Sequence, residues 1–377
     1  MKRLKIVIVI GTRPEAIKLF PIIRELQKYP EQFEKIIIST GQHQGLLQQT
    51  FNFFDIHPTI NFQVMRENQT LAGLTSKLIP KLTDYFLEEL PGMIIIQGDT
   101  TSALCSTIAA YYSKCRISHV EAGLRTHLLF NPFPEEANRR MISACSGYHF
   151  APTQIAKQNL LKENIPEKQI FVTGNPIIDT LEYMTKYGKI KINKEFQEDI
   201  KDRVFLLVTI HRRENFGEPM QNIRLALEKI AETSKKFQII FPLHPNPNVQ
   251  EIFKDFGKGF SNIHVIPPLS YPDFLSWMKA SFLILTDSGG VLEEASYFGK
   301  PVLILREVTE RPESVNAHIA RIVGTRTQDI YQIALHYYSC PGDYRKMAVE
   351  HKFLYGDGTA AQKIVKLLPE LCDENNS

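Results

Sequence analysis

Short apolar runs bounded by Gly, Pro, Asp or Thr alternate along the chain with longer segments of helical period. That alternation predicts βαβ units around parallel sheets, an α/β fold. In the first half the runs fall at 4–10, 35–40, 93–97, 117–120, 148–151 and 170–173, with helices predicted over 14–28, 70–89, 102–112 and 153–164. A second series follows at 204–210, 238–241, 263–266, 282–286 and 302–305, with helices near 220–235, 271–279, 290–298 and 327–338. Between the two series, Gly174-Asn175-Pro176 leads into a polar, Lys-rich stretch, 186–203, where no strand pattern survives, so the domain junction is expected there. The division predicted is 1–174 with about 359–377, and 175–358, each half a Rossmann-like domain. Ligands of open α/β sheets bind at the carboxyl ends of the strands, which predicts a site in a cleft between the halves.

The length of 377 residues agrees with two or three domains. With 44 Lys+Arg against 41 Asp+Glu the net charge is +3, which disfavours a protein held mainly by charge to nucleic acid or a membrane surface. No apolar run approaches the roughly 18 residues that cross a bilayer, and 4–10 is too short for a signal-peptide core, so a soluble, cytoplasmic protein is expected. Five scattered cysteines without a CxxC or Cys/His ligand spacing read as reduced, buried thiols rather than a metal or disulfide set.

Chemistry-bearing residues concentrate after the apolar runs. Gly11-Thr12-Arg13-Pro14-Glu15 opens the first helix, where free N–H groups, Arg13 and Lys18 suit a diphosphate or carboxylate. It is not GxGxxG, so a nicotinamide dinucleotide is not indicated. Asp287-Ser288-Gly289-Gly290 likewise leads into a helix: the glycines allow close approach to phosphate, and Glu294 could accept from sugar hydroxyls. Asp99, Glu121 and Glu135 stand at strand ends or in loops, where carboxylates among apolar neighbours could move protons. Each taken singly could equally cap a helix or face solvent. Arg139 lies one turn beyond Glu135. His211, beside Arg212 and Arg213, follows the first strand of the second series and could donate to phosphate or mediate a proton.

Seven segments in order, GTRPEAIK (11–18), QGDT (97–100), HVEAGLRT (119–126), PFPEEANRR (132–140), HRRENFGE (211–218), DSGGVLEEA (287–295) and TERPE (309–313), strongly resemble the non-hydrolysing UDP-N-acetylglucosamine 2-epimerases. The resemblance implies the glycosyltransferase-B fold, two Rossmann-like domains with a final helix, here 359–371, returning to the first. It implies exchange of UDP-N-acetylglucosamine and UDP-N-acetylmannosamine by loss and re-addition of UDP through 2-acetamidoglucal, with no nicotinamide or metal, in a homodimer. It also implies Asp99, Glu121 and Glu135 as acid/base carboxylates assisted by His211. Arg13, Lys18, Arg139, Ser288, Gly289, Gly290, Glu294 and Arg311 would then hold UDP, supported by Glu313, with uracil near 268–274. Bacterial members often carry a second, regulatory substrate site marked by AQHRxM and a later Arg before QT. This chain has GQHQG at 41–45 and NQT at 68–70, leaving Gln42, Arg212 and His244 as its candidates and weakened cooperativity as the expectation. A related epimerase acting on a UDP-diacetamido-uronic acid, a hydrolysing epimerase, a glycosyltransferase on the same fold and a non-catalytic UDP-sugar sensor are the competing readings.

Overall fold

The computed structural model describes residues 3–41, 45–64, 69–190 and 203–373, and the chain divides into two compact units, Met1–Glu182 with Tyr355–Ser377, and Tyr183–Leu354. The first holds strands β1 (Leu4–Ile10), β2 (Phe33–Ser39), β3 (Ile60–Asn61), β4 (Met93–Gln97), β5 (Ile117–Val120), β6 (Tyr148–Ala151) and β7 (Ile170–Val172), hydrogen-bonded in the order β3-β2-β1-β4-β5-β6-β7. Their helices are α1 (Arg13–Leu26), α2 (Gly45–Phe54), α3 (Leu71–Glu89), α4 (Thr101–Tyr112), α5 (Glu135–Cys145) and α6 (Gln154–Lys162), and the chain leaves through α7 (Pro176–Lys186).

The second unit repeats the plan. Strands β8 (Val204–Thr209), β9 (Phe237–Pro242), β10 (Ile263–Ile266), β11 (Leu283–Thr286), β12 (Val302–Ile304) and β13 (Ala320–Ile322) pair in the order β10-β9-β8-β11-β12-β13. Its helices are α8 (Glu218–Thr233), α9 (Pro247–Phe253), α10 (Tyr271–Ala280), α11 (Gly289–Phe298), α12 (Pro312–Asn316), α13 (Thr327–Ser339) and α14 (Pro341–Met347), and α15 (Ala360–Leu371) returns to the first unit against α1. Every strand pairing in both sheets is parallel. Two doubly wound Rossmann-like sheets are thus present, as the two series of apolar runs predict.

Covered on both faces, a parallel strand needs apolar side chains at both parities. In β1, Ile6, Val7, Ile8 and Ile10 are all fully buried. On α3, Leu74, Leu78, Leu82 and Phe86 form one stripe four residues apart, packed with Val7, Val9, Ile94 and Ile96. Each such side chain contributes about 1.5–3 kcal/mol on burial. Threonines set the helix starts: the Thr70 and Thr100 hydroxyls accept the N–H groups of Gly73 and Ala103, each at 3.0 Å.

The division at 182/183 and 354/355, rather than at 174/175 and 358/359, has a local cause. The start of α7 is tied into the first unit: the Thr180 hydroxyl donates to the Ile17 carbonyl at 2.8 Å, and Asn175 N–H donates to the Tyr355 carbonyl at 2.6 Å. Most of the Lys-rich stretch lies outside the described residues. All five cysteines are free, but only Cys105 is buried; the other four are half-buried at helix ends and loops, where the apolar interior stops. Among the described residues no cluster of ligating side chains suits a metal ion, and no helix is long and apolar enough to cross a membrane.

Candidate active site

In a doubly wound sheet the crevice for ligands opens at the carboxyl ends of the two strands where the order reverses. That reversal falls between β1 and β4 in the first sheet and between β8 and β11 in the second. The segments 11–18 and 97–100 follow β1 and β4, and 211–218 and 287–290 follow β8 and β11. Each sheet therefore gathers two of the chemistry-bearing segments at its own switch point.

In the first unit Glu121, immediately after β5, sits at φ +65° and is buried. Its Oε1 accepts from Lys18 Nζ at 2.5 Å and from Asn175 Nδ2 at 3.0 Å, and its Oε2 accepts from Gln97 Nε2. The surroundings are polar, not the apolar ones that Val120 suggests, and Arg125 is turned away into a two-bond pair with Glu163 at 2.8 and 2.7 Å. Lys18, expected on phosphate, spends its charge on this carboxylate. One strand over, Asp99 Oδ2 meets Arg139 Nε at 2.8 Å and a terminal nitrogen at 2.7 Å, while Arg139 also pairs with buried Glu136 at 2.9 Å. His119, fully buried on β5, bonds the Gly98 carbonyl through Nε2 at 2.7 Å and so braces the turn that carries Asp99. Burial pushes this imidazole down to about 4, against the Gly98 bond, so it is neutral and Nε2 carries the proton.

The start of α1 differs from expectation. Arg13 is the first helical residue, and the N–H groups of Gly11 and Thr12, expected to face an anion, both donate to Glu15 Oε2 at 2.6 Å in a capping box. Glu15 Oε1 further accepts from the Thr100 hydroxyl at 2.6 Å, joining this turn to the Asp99 turn. Burial pushes the Glu15 carboxyl up to about 7, against those hydrogen bonds. Glu135 is likewise not in a loop but opens α5, half-buried.

In the second unit the organising group is Asp287, fully buried at the end of β11. Its oxygens accept the N–H groups of His211 at 3.0 Å and Arg212 at 2.9 Å and the Asn215 amide at 3.1 Å, and Oδ1 lies 3.2 Å from His211 Nδ1. Burial raises the Asp287 carboxyl, but the His211 charge and these bonds outweigh it and hold it below its ordinary range. The His211 ring, anchored through Nδ1, stacks on exposed His244 at 5.4 Å. Beside the start of α11 runs an ion-pair chain: Arg311 with Glu293 and Glu310, each at 2.7 Å, Glu310 with Arg306 at 2.9 Å, and Arg306 with Glu214 at 2.9 Å. Arg212 reaches Glu310 at 3.8 Å. A β-carbon on Gly289 would fall 2.3 Å from Glu310 Oε1 and 2.4 Å from Arg311, so a side chain there would have to displace the ends of this ion pair, whereas at Gly290 the space is open. Glu294 accepts from the Tyr271 hydroxyl at 2.8 Å, within the segment expected to meet uracil.

The sequence profile of the UDP-N-acetylglucosamine 2-epimerase family matches residues 24–369. The UDP-N-acetylglucosamine 2-epimerase of Bacillus subtilis is 43% identical over 369 residues, 98% of this chain and 96% of its own. The chain belongs to the UDP-N-acetylglucosamine 2-epimerase family. Among solved structures of family members, that of Neisseria meningitidis UDP-GlcNAc 2-epimerase bound to UDP-GlcNAc superposes with a TM-score of 0.92 at 40% identity, covering 97% of this chain and all of that one. The Methanocaldococcus jannaschii UDP-GlcNAc 2-epimerase in complex with UDP-GlcNAc and UDP gives 0.84 at 34%, covering 97% and 100%.

For this member of the epimerase family, the fold joins Lys18 to Glu121, Arg139 to Asp99, and His211 to His244. Ser288, Gly289 and Gly290 stand at the start of α11, and Glu313 is buried on α12 near its start. Gln42 lies outside the described residues, as do His43, Gln44 and Asn68. Gln97, Asn175, Asp287, Glu136 and Glu310 enter these networks without having been singled out by sequence. For Asp287 a signal existed: a carboxylate ending an apolar strand must find N–H or cationic partners.

Proposed function

We propose that this chain interconverts UDP-N-acetylglucosamine and UDP-N-acetylmannosamine by eliminating and re-adding UDP through 2-acetamidoglucal, and thereby supplies surface polysaccharide synthesis. Family membership supports the substrate, and the observation that carries the chemistry is Glu121, buried at a strand end and held by one ammonium and two amide donors. The C2 hydrogen has no neighbouring carbonyl to acidify it, so departure of the diphosphate must be stabilised before or as the proton leaves. In the forward half a carboxylate takes the C2 proton, the C1–O bond breaks with its electron pair leaving on UDP, and a C1–C2 double bond forms. In the return half UDP oxygen attacks C1 while a proton reaches C2 from the other face.

Asp99, Glu121 and Glu135 are the candidates for those proton transfers. Lys18 and Arg139 fix the charge and direction of Glu121 and Asp99. Ser288, Gly289 and Gly290 at the start of α11 are the candidates for binding the diphosphate, since a helix N-terminus favours negative charge, and Arg13 is the first unit's candidate for the same role. Glu294, steadied by Tyr271, accepts from ribose, and Arg311 with Glu313 supports α11. His211, anchored by Asp287, presents its outer nitrogen to the leaving group. Proton NMR of the enzyme with UDP-N-acetylglucosamine in deuterated water tests this: UDP-N-acetylmannosamine appearing with deuterium at C2 is expected. Release of free N-acetylmannosamine with UDP, or no exchange at C2, would refute it.

A further inference from the structure

Gly174-Asn175-Pro176 reads in the sequence as punctuation between two halves, yet Asn175 is fully buried and its side chain ends on Glu121. A side-chain amide is directional, since its nitrogen donates and its oxygen accepts. Asn175 Oδ1 accepts the Ile177 N–H at 3.1 Å in the first turn of α7, which turns the nitrogen onto Glu121 Oε1 at 3.0 Å. Its main chain is held as well: the N–H donates to the Tyr355 carbonyl at 2.6 Å. Alongside, Gly174 and Gly356, at φ +92° and +133°, approach so closely that a β-carbon on Gly174 would stand 3.0 Å from the Gly356 Cα. Tyr355 is itself buried, at the point where the chain re-enters the first unit. The amide therefore cannot turn or withdraw without giving up a backbone partner. Glu121 needs such support, because a non-glycine residue in the left-handed region costs on the order of 1 kcal/mol or more and persists only where its surroundings over-determine it.

We propose that Asn175 is a positioning residue for the epimerisation, its amide aimed by Ile177 and clamped by Tyr355 so that the Glu121 carboxylate keeps the orientation from which it exchanges a proton with substrate. This rests on the functional reading above.

Asn175→Asp keeps the shape but replaces the donor with a second carboxylate about 3 Å from the first, and two carboxylates that close share one proton. The expected result is a folded enzyme whose kcat at pH 8 falls by about 10²-fold with KM changed less than about threefold. The ratio of variant to wild-type kcat should climb as pH falls from 8 to 6, because the shared proton restores a donor. A purely structural role would leave that ratio flat, and a flat ratio or an unchanged kcat overturns the proposal. In a crystal structure of Asn175→Ala the Glu121 carboxylate should shift away from its wild-type position; a carboxylate that stays in place also overturns it. Should Asn175→Asp fail to fold, Asn175→Ser with the same kcat and KM split stands in for it. Wild-type protein that leaves UDP-N-acetylglucosamine unchanged would instead sink the functional reading, and the crystallographic arm would still decide on Asn175.

Discussion

Asp287 exposes no surface, yet the His211 and Arg212 N–H groups, the His211 ring and the Asn215 amide all meet it. With Nδ1 of His211 facing a carboxylate, the ring's hydrogen belongs on that nitrogen, and the proposed function uses the outer one toward the leaving group. Asn in place of Asp can turn its own NH2 to Nδ1 and favour the opposite tautomer. Asp287→Asn is therefore expected to lower kcat by about 10²-fold while leaving substrate affinity within severalfold, read from steady-state kinetics beside binding of UDP by calorimetry. An equal loss in both would assign Asp287 to holding the loop alone. At this scale the sequence shows the reacting types but not their partners. Asp99, Glu121, Glu135 and His211 stand in recognisable segments, whereas Lys18 and Asn175 lie 103 and 54 positions from Glu121. That separation is also why Lys18 reads as a phosphate ligand and the Gly11 and Thr12 N–H groups as free: the local pattern holds no trace of what arrives from elsewhere.

Among elements, α15 begins without help from its own cap, since the Thr359 side chain makes no capping bond. Asp179 on α7 takes over, accepting the N–H groups of Ala360 and Ala361 at 3.2 and 2.9 Å. A cap supplied by a different helix couples the end of the chain to the body of the first unit. Asp179→Ala is expected to cost about 1–2 kcal/mol, measured as a lower urea midpoint with unchanged slope, and an unchanged midpoint would show that packing of α15 on α1 suffices. Long elements with a clear period are legible in the sequence, as α3 and β1 illustrate. Others escape, α2 and α7 among them at ten and eleven residues, and some of these are short or charged. The strands β3 and β13 have two and three residues, too few to display alternation, and α12 has five. In α5, the first six residues, EEANRR, hold a single apolar position, so no amphipathic period announces the helix and Glu135 reads as a loop position.

Over the whole molecule, the doubling of the fold is visible as two series of apolar runs, but the strand order is not. It arises from hydrogen bonds such as those placing β1 between β2 and β4, and right-handed crossovers then dictate the rest. Acid sensitivity is also a property of the assembled first unit. Burial pushes His119 down to about 4 and His149 to about 3, with the neighbouring imidazole and Arg125 adding to the effect at His149. In the unfolded chain both regain a pKa of about 6.5. The unfolded state therefore binds more protons between those values, and the stability that neutral His119 and His149 contribute is complete above pH 6.5 and lost as pH falls toward 4. The melting temperature should drop between pH 7 and pH 5, and His149→Leu should flatten that drop; an equal slope in the variant would place the acid sensitivity elsewhere. The return of the chain at Tyr355 has a consequence for biosynthesis. A ribosome delivers residues in order, at about 5–20 per second, so the middle unit is finished before the first one is. Until Tyr355 and α15 emerge, Asn175 lacks its clamp and α1 its covering helix, and the nascent polypeptide carries Asp99, Glu121 and Glu135 with Glu121 held by Lys18 and Gln97 but not by a clamped Asn175. On the proposed role of Asn175, the aim of Glu121 is thus completed only after Tyr355 and α15 have been made.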